Sequence, residues 1–89
     1  MMTMDKMTEA LTRVFDINME NVTVTKIGER AGWLTFWDWT EEVGDFINFC
    51  KDNAEKRFFE DGHDIFMIRG LLLYVEIDNP ALDDFEIFF

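Results

Sequence analysis

The fold is decided by residues 21–39, which read NVTVTKIGERAGWLTFWDW. Residues 21–27 alternate in polarity and are rich in β-branched side chains, a pattern typical of a half-buried strand. Residues 28–32 contain two glycines, which can supply the positive φ angles that a tight turn needs. Because residues 33–39 alternate again, we predict a β-hairpin.

A first helix is predicted before the hairpin, at residues 4–15. Its apolar side chains recur at helical spacing and form one stripe. Thr3 or Asp5 can act as the N-cap, since each can accept a hydrogen bond from a free amide of the first turn. The stripe consists of Met4, Met7, Leu11, Val14 and Phe15.

A second helix is predicted after the hairpin, at residues 41–57. Thr40 is a good N-cap, and the two Glu residues that follow it lie where the helix dipole favours negative charge. We expect Gly62 to end the helix or to lie just beyond its end. Residues 57–59, Arg-Phe-Phe, could instead begin a strand that turns at Asp61-Gly62. The apolar stripe consists of Val43, Phe46, Ile47, Cys50, Ala54 and Phe58.

The last third of the chain alternates again. Residues 64–69 and 71–78 are predicted strands, separated at Gly70 by either a tight turn or a glycine bulge. Proline at position 80 breaks the pattern. Residues 82–89 could form a short helical turn or a fifth strand.

These elements predict a single domain, residues 1–89, of the α+β class. The order is α-β-β-α-β-β, with two helices on one face of a four- to five-stranded antiparallel sheet. Each helix has one apolar stripe, so one sheet face is enough to cover it.

The composition combines a large negative charge with many apolar residues. Asp and Glu number 19 against 8 Lys and Arg, giving a net charge of −11, yet 48% of the chain is hydrophobic. Disordered acidic tails lack such apolar content, so this chain should fold. Its surface should repel nucleic acid and anionic membranes and attract basic proteins. We therefore predict a basic protein partner and no direct contact with nucleic acid or membrane.

The expected location is the cytoplasm, which for a phage-encoded protein means the host cell cytoplasm. Residues 1–6 do not resemble a signal peptide. The longest apolar run, residues 71–75, is far too short to cross a membrane. Cys50 is the only cysteine, which excludes an internal disulfide and fits a reducing compartment.

We find no catalytic, cofactor or metal motif. His63 lies among carboxylates in residues 60–64, but consecutive residues cannot converge on one metal ion, and a polar turn explains them. Cys50 falls on an apolar helical stripe without the electropositive surroundings that activate a thiol, so we expect it to be buried and slow to react. The sequence therefore predicts a protein that is not an enzyme and has no cofactor.

The acidic side chains have a spacing that suits another use. Same-side positions are about 6 Å apart one turn along a helix and about 6.7 Å apart at i, i+2 on a strand. Successive phosphates on one strand of a duplex are about 3.4 Å apart along the axis, and their path winds around it. The through-space distance between them is therefore comparable with these carboxylate spacings. A rigid fold can thus present carboxylates where a nucleic-acid-binding protein expects phosphates. The predicted partner-binding residues are Asp38, Glu41, Glu42, Asp45, Asp52, Glu76, Asp78, Trp37 and Trp39.

The aromatic residues leave the buried face of the sheet undecided. Alternation places Trp33, Trp37 and Trp39 on one face and Leu34 and Phe36 on the other. If the helices cover the Leu34 face, the Trp face is an exposed surface with aromatic anchors beside acids. In the opposite arrangement the Trp face is the core. Burial of surplus aromatics in a homodimer is a third possibility.

The predicted function is that of an inhibitor that occupies a nucleic-acid-binding site on another protein by imitating phosphate charge. Small acidic phage proteins that block host defence nucleases, such as anti-CRISPR and anti-restriction proteins, share this size and charge. The alternative is a small dimeric adaptor that binds through its aromatic strand, with the acids serving solubility. A small-molecule or enzymatic domain would instead require an enclosed pocket with convergent carboxylates.

Overall fold

A computed structural model of the chain describes residues 1–78 and shows two helices packed against a five-stranded mixed sheet. A short 3₁₀ helix, Met19–Asn21, precedes the first strand. The regular elements are α1 (Met4–Arg13), β1 (Val22–Gly28), β2 (Ala31–Phe36), α2 (Glu41–Asn53), β3 (Lys56–Glu60), β4 (His63–Ile68) and β5 (Leu71–Ile77).

The local signals of the sequence form the elements that they predict. The Thr3 hydroxyl caps α1 by accepting from the Lys6 amide (3.2 Å), and Thr40 caps α2 by accepting from Val43 (3.2 Å). Residues 22–36 form the predicted hairpin, but its second strand is Ala31–Phe36 instead of residues 33–39. The turn is Glu29–Arg30 instead of residues 28–32, and neither Gly28 nor Gly32 has a positive φ. The turn at Arg69–Gly70 is tight, with positive φ at both residues, which excludes the bulge.

The second helix is shorter than predicted, because α2 ends at Asn53 and Ala54 has extended backbone angles. Residues 56–60 form β3, so the alternative of a strand turning at Asp61-Gly62 is confirmed. Asp61 and Gly62 have φ of 51° and 80°, as a two-residue hairpin turn requires. The assignments of Phe58 to a helical stripe and of Gly62 to a helix end are therefore wrong. The apolar residues after Asn53, Ala54 and Phe58, continue the spacing of the helical stripe only by coincidence.

The prediction of an all-antiparallel sheet is wrong, because the observed sheet is mixed. The strand order is β1-β2-β5-β4-β3, and β2 pairs with β5 in parallel, with Trp33 opposite Tyr74. The cause is β3, because one additional chain reversal between α2 and β4 inverts the direction of β5. The alternatives for residues 82–89, and the break at Pro80, lie outside the described residues.

The core lies between the helices and one sheet face. Leu34 and Phe36 are fully buried there, so the helices cover their face and the Trp33 face looks outward. Val14, at the end of the predicted stripe of α1, is 71% exposed because the helix ends at Arg13. The buried side chains of the core are Met4, Met7, Leu11, Ile17, Val22, Leu34, Phe36, Val43, Phe46, Ile47, Cys50, Phe66, Ile68, Leu71, Leu73 and Val75.

Candidate acidic binding surface

The topology brings many acidic residues to one end of the sheet. Because β2 and β5 are parallel, their C-terminal ends lie side by side at Phe36 and Ile77. β1 and β4 begin at this end, as does the loop into α2, and the β3–β4 turn also lies here. We call this region the acidic end. Its carboxylates belong to Asp16, Glu20, Asp38, Glu41, Glu42, Glu60, Asp61, Glu76 and Asp78.

Most of the basic side chains lie at the opposite end of the sheet, around the β1–β2 and β4–β5 turns and the C-terminus of α2. They belong to Lys6, Lys26, Arg30, Lys51, Lys56 and Arg69. Lys26 is paired with Asp5 (3.3 Å), and Glu29, Asp52 and Glu55 also lie at this end, where the six bases outnumber these four acids. The other two bases, Arg13 and Arg57, contact Glu9 (2.6 Å) and Asp64 (3.3 Å). The domain is therefore electrically polarised along its strands.

An open groove of about 500 Å³ lies within the acidic end. The 3₁₀ helix and the segment before it form one wall, and the loop from β2 to α2 forms the other. The groove is lined by Asp16, Ile17, Asn18, Glu20, Asn21, Trp37, Asp38, Thr40 and Glu42. Four residues with carboxylates thus line one groove together with Trp37, whose side chain is half-exposed.

Asn21 fixes the loop that carries Trp37 and Asp38. Its side-chain amide donates to the Asp38 carbonyl oxygen (3.0 Å), and its side-chain oxygen accepts from the Asp38 amide (2.8 Å). Its carbonyl oxygen also accepts from the Trp37 amide (3.0 Å). These bonds hold the loop against the 3₁₀ helix, so both walls of the groove keep a defined separation.

The N-terminus of α2 supplies the next group of acids. Glu41 and Glu42 are exposed in the first turn, where they interact favourably with the helix dipole. Asp45 is exposed one turn later, about 6 Å along the axis from Glu41. Asp52 is in the last turn, about 16 Å along the axis from Glu41 and next to Lys51. The structure therefore does not bring Asp52 to the acidic end.

Glu76 and Asp78 lie at the end of β5. The Glu76 carboxylate accepts from the indole Nε1–H of Trp33 (3.2 Å). This bond orients it on the sheet face opposite the helices, which no element of residues 1–78 covers and which we call the uncovered sheet face. The Asp78 amide donates to the Phe36 carbonyl oxygen (2.8 Å), which extends the pairing with β2. Asp78 is therefore adjacent to the start of the loop that contains Trp37.

Trp37 and Trp39 occupy different sides of the domain, because β2 ends at Phe36 and the strand alternation stops there. Trp37 is 44% exposed, and its indole donates to the Thr23 hydroxyl (3.0 Å). Trp39 is 53% exposed and lies on α2 at Gly44, where a Cβ atom would be 3.0 Å from the indole. The prediction that Trp39 shares the face of Trp33 is thus wrong, although both Trp37 and Trp39 border the acidic end.

The uncovered sheet face carries a second cluster, built around Trp33. The rings of Trp33 and Tyr74 are parallel, with centroids 5.0 Å apart, and the His63 ring meets Trp33 edge-on at 4.6 Å. Ile65 is buried on this face although it does not belong to the helix-side core. A shallow pocket of about 230 Å³ is lined by Trp33, Glu60, Asp61, His63, Ile65 and Tyr74.

Sequence reasoning missed Asp16, Glu20, Glu60 and Asp61 as members of the acidic end. Asp16 has a positive φ of 57°, and Glu20 lies in the 3₁₀ helix, so both belong to the connection between α1 and β1, to which the sequence pattern assigned no helix or strand. The cluster at residues 60–64 is a polar turn, and an Asp-Gly pair at a hairpin tip signals exposure. No local signal relates these acids to Asp38.

Within residues 1–78, no group of three or more His, Cys, Asp and Glu side chains is arranged to hold a metal ion. The same part of the chain contains no helix whose length and apolar character would allow it to cross a membrane. No protein-family model matches the chain, and no similar curated protein or solved structure is found.

Proposed function

We propose that the acidic end binds a basic surface of another protein and that the partner surface is a nucleic-acid-binding site. The protein would then be an inhibitor that occupies this site by imitating phosphate charge, as phage anti-defence proteins of similar size and charge do. The supporting observation is the polarisation of the domain, because the fold collects acids from distant parts of the sequence while most bases lie at the opposite end.

Rigidity also supports charge mimicry. The Asn21 bonds hold Asp38, and the Thr40 cap fixes the turn that bears Glu41 and Glu42. Carboxylates on a rigid frame lose little conformational entropy on binding, which leaves more of the electrostatic attraction as affinity. Trp37, half-exposed in the groove, supplies the kind of aromatic anchor that often dominates binding energy.

The test compares two variants of equal net charge. Asp38→Asn with Glu42→Gln removes two acids from the groove, and Glu29→Gln with Asp52→Asn removes two acids outside the acidic end. Each double variant lowers the net negative charge by two, from −11 to −9. Wild-type protein and both variants are immobilised and used to capture proteins from a bacterial lysate at low salt, with identification by mass spectrometry.

If the protein imitates nucleic acid, wild type and the Glu29→Gln/Asp52→Asn variant should capture a nucleic-acid-binding protein. The groove variant, Asp38→Asn/Glu42→Gln, should not capture it. Duplex DNA or RNA should displace it, and raised salt should weaken its binding. Two exposed contacts are worth up to about 2 kcal/mol, or about thirty-fold in affinity. Equal retention by the two variants, or indifference to nucleic acid, contradicts the proposal.

A second candidate function is an adaptor that binds through aromatic side chains, with the acids serving solubility. The observation that favours it is the Trp33–Tyr74 stack with its shallow pocket on an uncovered sheet face. Such binding would depend on Trp37 or Trp33 and would be insensitive to salt. A partner lost by Trp37→Ala and retained by the groove variant at every salt concentration would therefore select the adaptor.

A further inference from the structure

Strand β3 is an outer strand of the sheet and is exposed along its whole length. Its five residues, Lys56–Glu60, are all exposed, including Phe58 at 51% and Phe59 at 73%. Among residues 1–78, no element pairs with its outer side. Edge strands with apolar side chains and free backbone groups are templates for pairing with another strand, and proteins usually protect them with charge, proline or bulges.

The hairpin with β4 determines which backbone groups are free. The two-residue turn Asp61–Gly62 makes Glu60 and His63 the pair that closes the hairpin by exchanging hydrogen bonds. Along the strand, the backbone N–H and C=O groups of successive residues point alternately toward β4 and away from it. The N–H and C=O groups that point outward are those of Arg57 and Phe59.

The side chains of β3 are complementary to a second, antiparallel copy of β3. When Phe58 lies opposite Phe58 of the second copy, the outward groups of Arg57 and Phe59 meet and can exchange hydrogen bonds. Lys56 then lies opposite Glu60 of the second copy, and the two-fold symmetry repeats this ion pair. On the other face, Phe59 of the second copy lies opposite Arg57, whose guanidinium is held beside Asp64 (3.3 Å) and over the Phe66 ring of its own chain.

The polarity of the whole domain favours the same orientation. Glu60 is at the acidic end, and Lys56 is at the opposite end, where most bases lie. Antiparallel pairing of β3 places the acidic end of each copy beside the end of the other copy that carries most of its bases. Parallel pairing would place the two acidic ends together, at an electrostatic cost in a protein of net charge −11.

From these observations we infer that the protein forms a symmetric dimer in which the β3 strands of two copies pair antiparallel and join two sheets into one. The inference is independent of the proposed function, because β3 pairing directs the two acidic ends in opposite directions and leaves their grooves open. A pair of short edge strands buries less than the roughly 1,200 Å² of a standard stable interface, so the dimer should dissociate at low concentration.

The experiment is sedimentation equilibrium of the full chain at physiological salt, from micromolar to millimolar concentration. Lys56→Glu or Glu60→Lys places like charges opposite each other at two symmetric positions. Each change should raise the dimer dissociation constant about ten-fold, equivalent to about 1.4 kcal/mol. The double variant Lys56→Glu/Glu60→Lys recreates both ion pairs with the wild-type net charge and should recover the wild-type constant.

The matched control is Lys6→Glu, which alters net charge as Lys56→Glu does but lies on α1. Circular dichroism verifies that each variant is folded. Dimerisation that is weakened by either single change, restored by the double change and little affected by Lys6→Glu supports the inference. A monomer at every concentration overturns the inference. A dimer also overturns it if Lys56→Glu and Lys6→Glu change the dissociation constant equally, or if the double variant does not restore the wild-type constant.

Discussion

The hydrogen bonds between Asn21 and the backbone of Asp38 provide the most direct test of how the acidic end is built. Replacement by Asn21→Ala removes the side-chain donor and acceptor that bond to the Asp38 carbonyl oxygen (3.0 Å) and amide (2.8 Å). The bond from the Trp37 amide to the carbonyl oxygen of residue 21 involves backbone atoms only, so the substitution retains it.

The magnitude follows from the two lost bonds. A typical protein hydrogen bond contributes a net of about 0.5–1.5 kcal/mol, and the lower half of this range applies because Asp38 is exposed and water can replace its partners. We therefore expect Asn21→Ala to lower the free energy of unfolding by about 1–2 kcal/mol. For a domain of this size, the equivalent decrease in Tm is about 4–16 °C.

The assay is urea unfolding followed by far-UV circular dichroism, together with amide hydrogen exchange read at Asp38. Loss of the Asn21 acceptor leaves the Asp38 amide open to water, so its exchange should accelerate more than that of amides in α1. Asn21→Asp should be intermediate in stability, since it retains an oxygen for the Asp38 amide but places a carboxylate against the Asp38 carbonyl.

The control is Asn48→Ala, at an exposed position in α2, where the higher helix propensity of alanine should slightly stabilise the protein. If Asn21→Ala leaves both the unfolding free energy and the Asp38 exchange rate unchanged, Asn21 does not hold the loop. The rigidity argument for the acidic end would then be wrong.

Three further predictions concern the packing of single residues. Gly32→Ala should destabilise the protein by about 1–3 kcal/mol in urea unfolding. The reason is that the new Cβ would clash with the buried Met4 side chain, for example at 2.6 Å from its Cε. The additional substitution Met4→Ala should remove part of this cost. Gly44→Ala should stabilise α2 by about 0.5–1 kcal/mol. Its Cβ should displace the Trp39 indole and increase the exposure of the indole, which fluorescence quenching measures. A loss of stability would mean that the indole cannot shift. Burial, followed by the nearby charge of Asp64, raises the pKa of the Cys50 thiol from 9.0 to about 12, so native labelling by thiol reagents should be slow. As the pH rises, the thiol loses its proton at a lower pH in the unfolded chain than in the folded chain. The free energy of unfolding should therefore fall between about pH 9 and 12, by up to about 1.4 kcal/mol per pH unit. The Cys50→Ala variant should lack this decrease.

Several elements of this protein could be predicted from the sequence because their causes are local. Thr3 and Thr40 accept hydrogen bonds from amides three residues away, so the starts of both helices are encoded in short segments. Alternation defines the hairpin in the same way, and a glycine in the left-handed region marks the turn at Arg69–Gly70. Burial of Cys50 follows from its position on a helical stripe.

Strand β3 shows where local reasoning becomes ambiguous. Its apolar residues, Phe58 and Phe59, fit either the end of α2 or a short strand, and the preference is decided by pairing with β4. The parallel contact between β2 and β5 depends on this choice, because each additional strand reverses the direction of all later strands. One misassigned segment of five residues therefore changes the predicted topology of the sheet.

The sequence by itself determined that the chain is acidic and apolar enough to fold, and that several groups of acids contain no base. Only the tertiary structure decided which acids meet. It joined Asp16 and Glu20 to Asp38 and Glu42 in one groove and separated Asp52 from them by most of the length of α2. The physical reason is that side-chain periodicity acts over one or two turns. The strand ends that share one end of a sheet are instead fixed by long-range pairing and by the number of chain reversals.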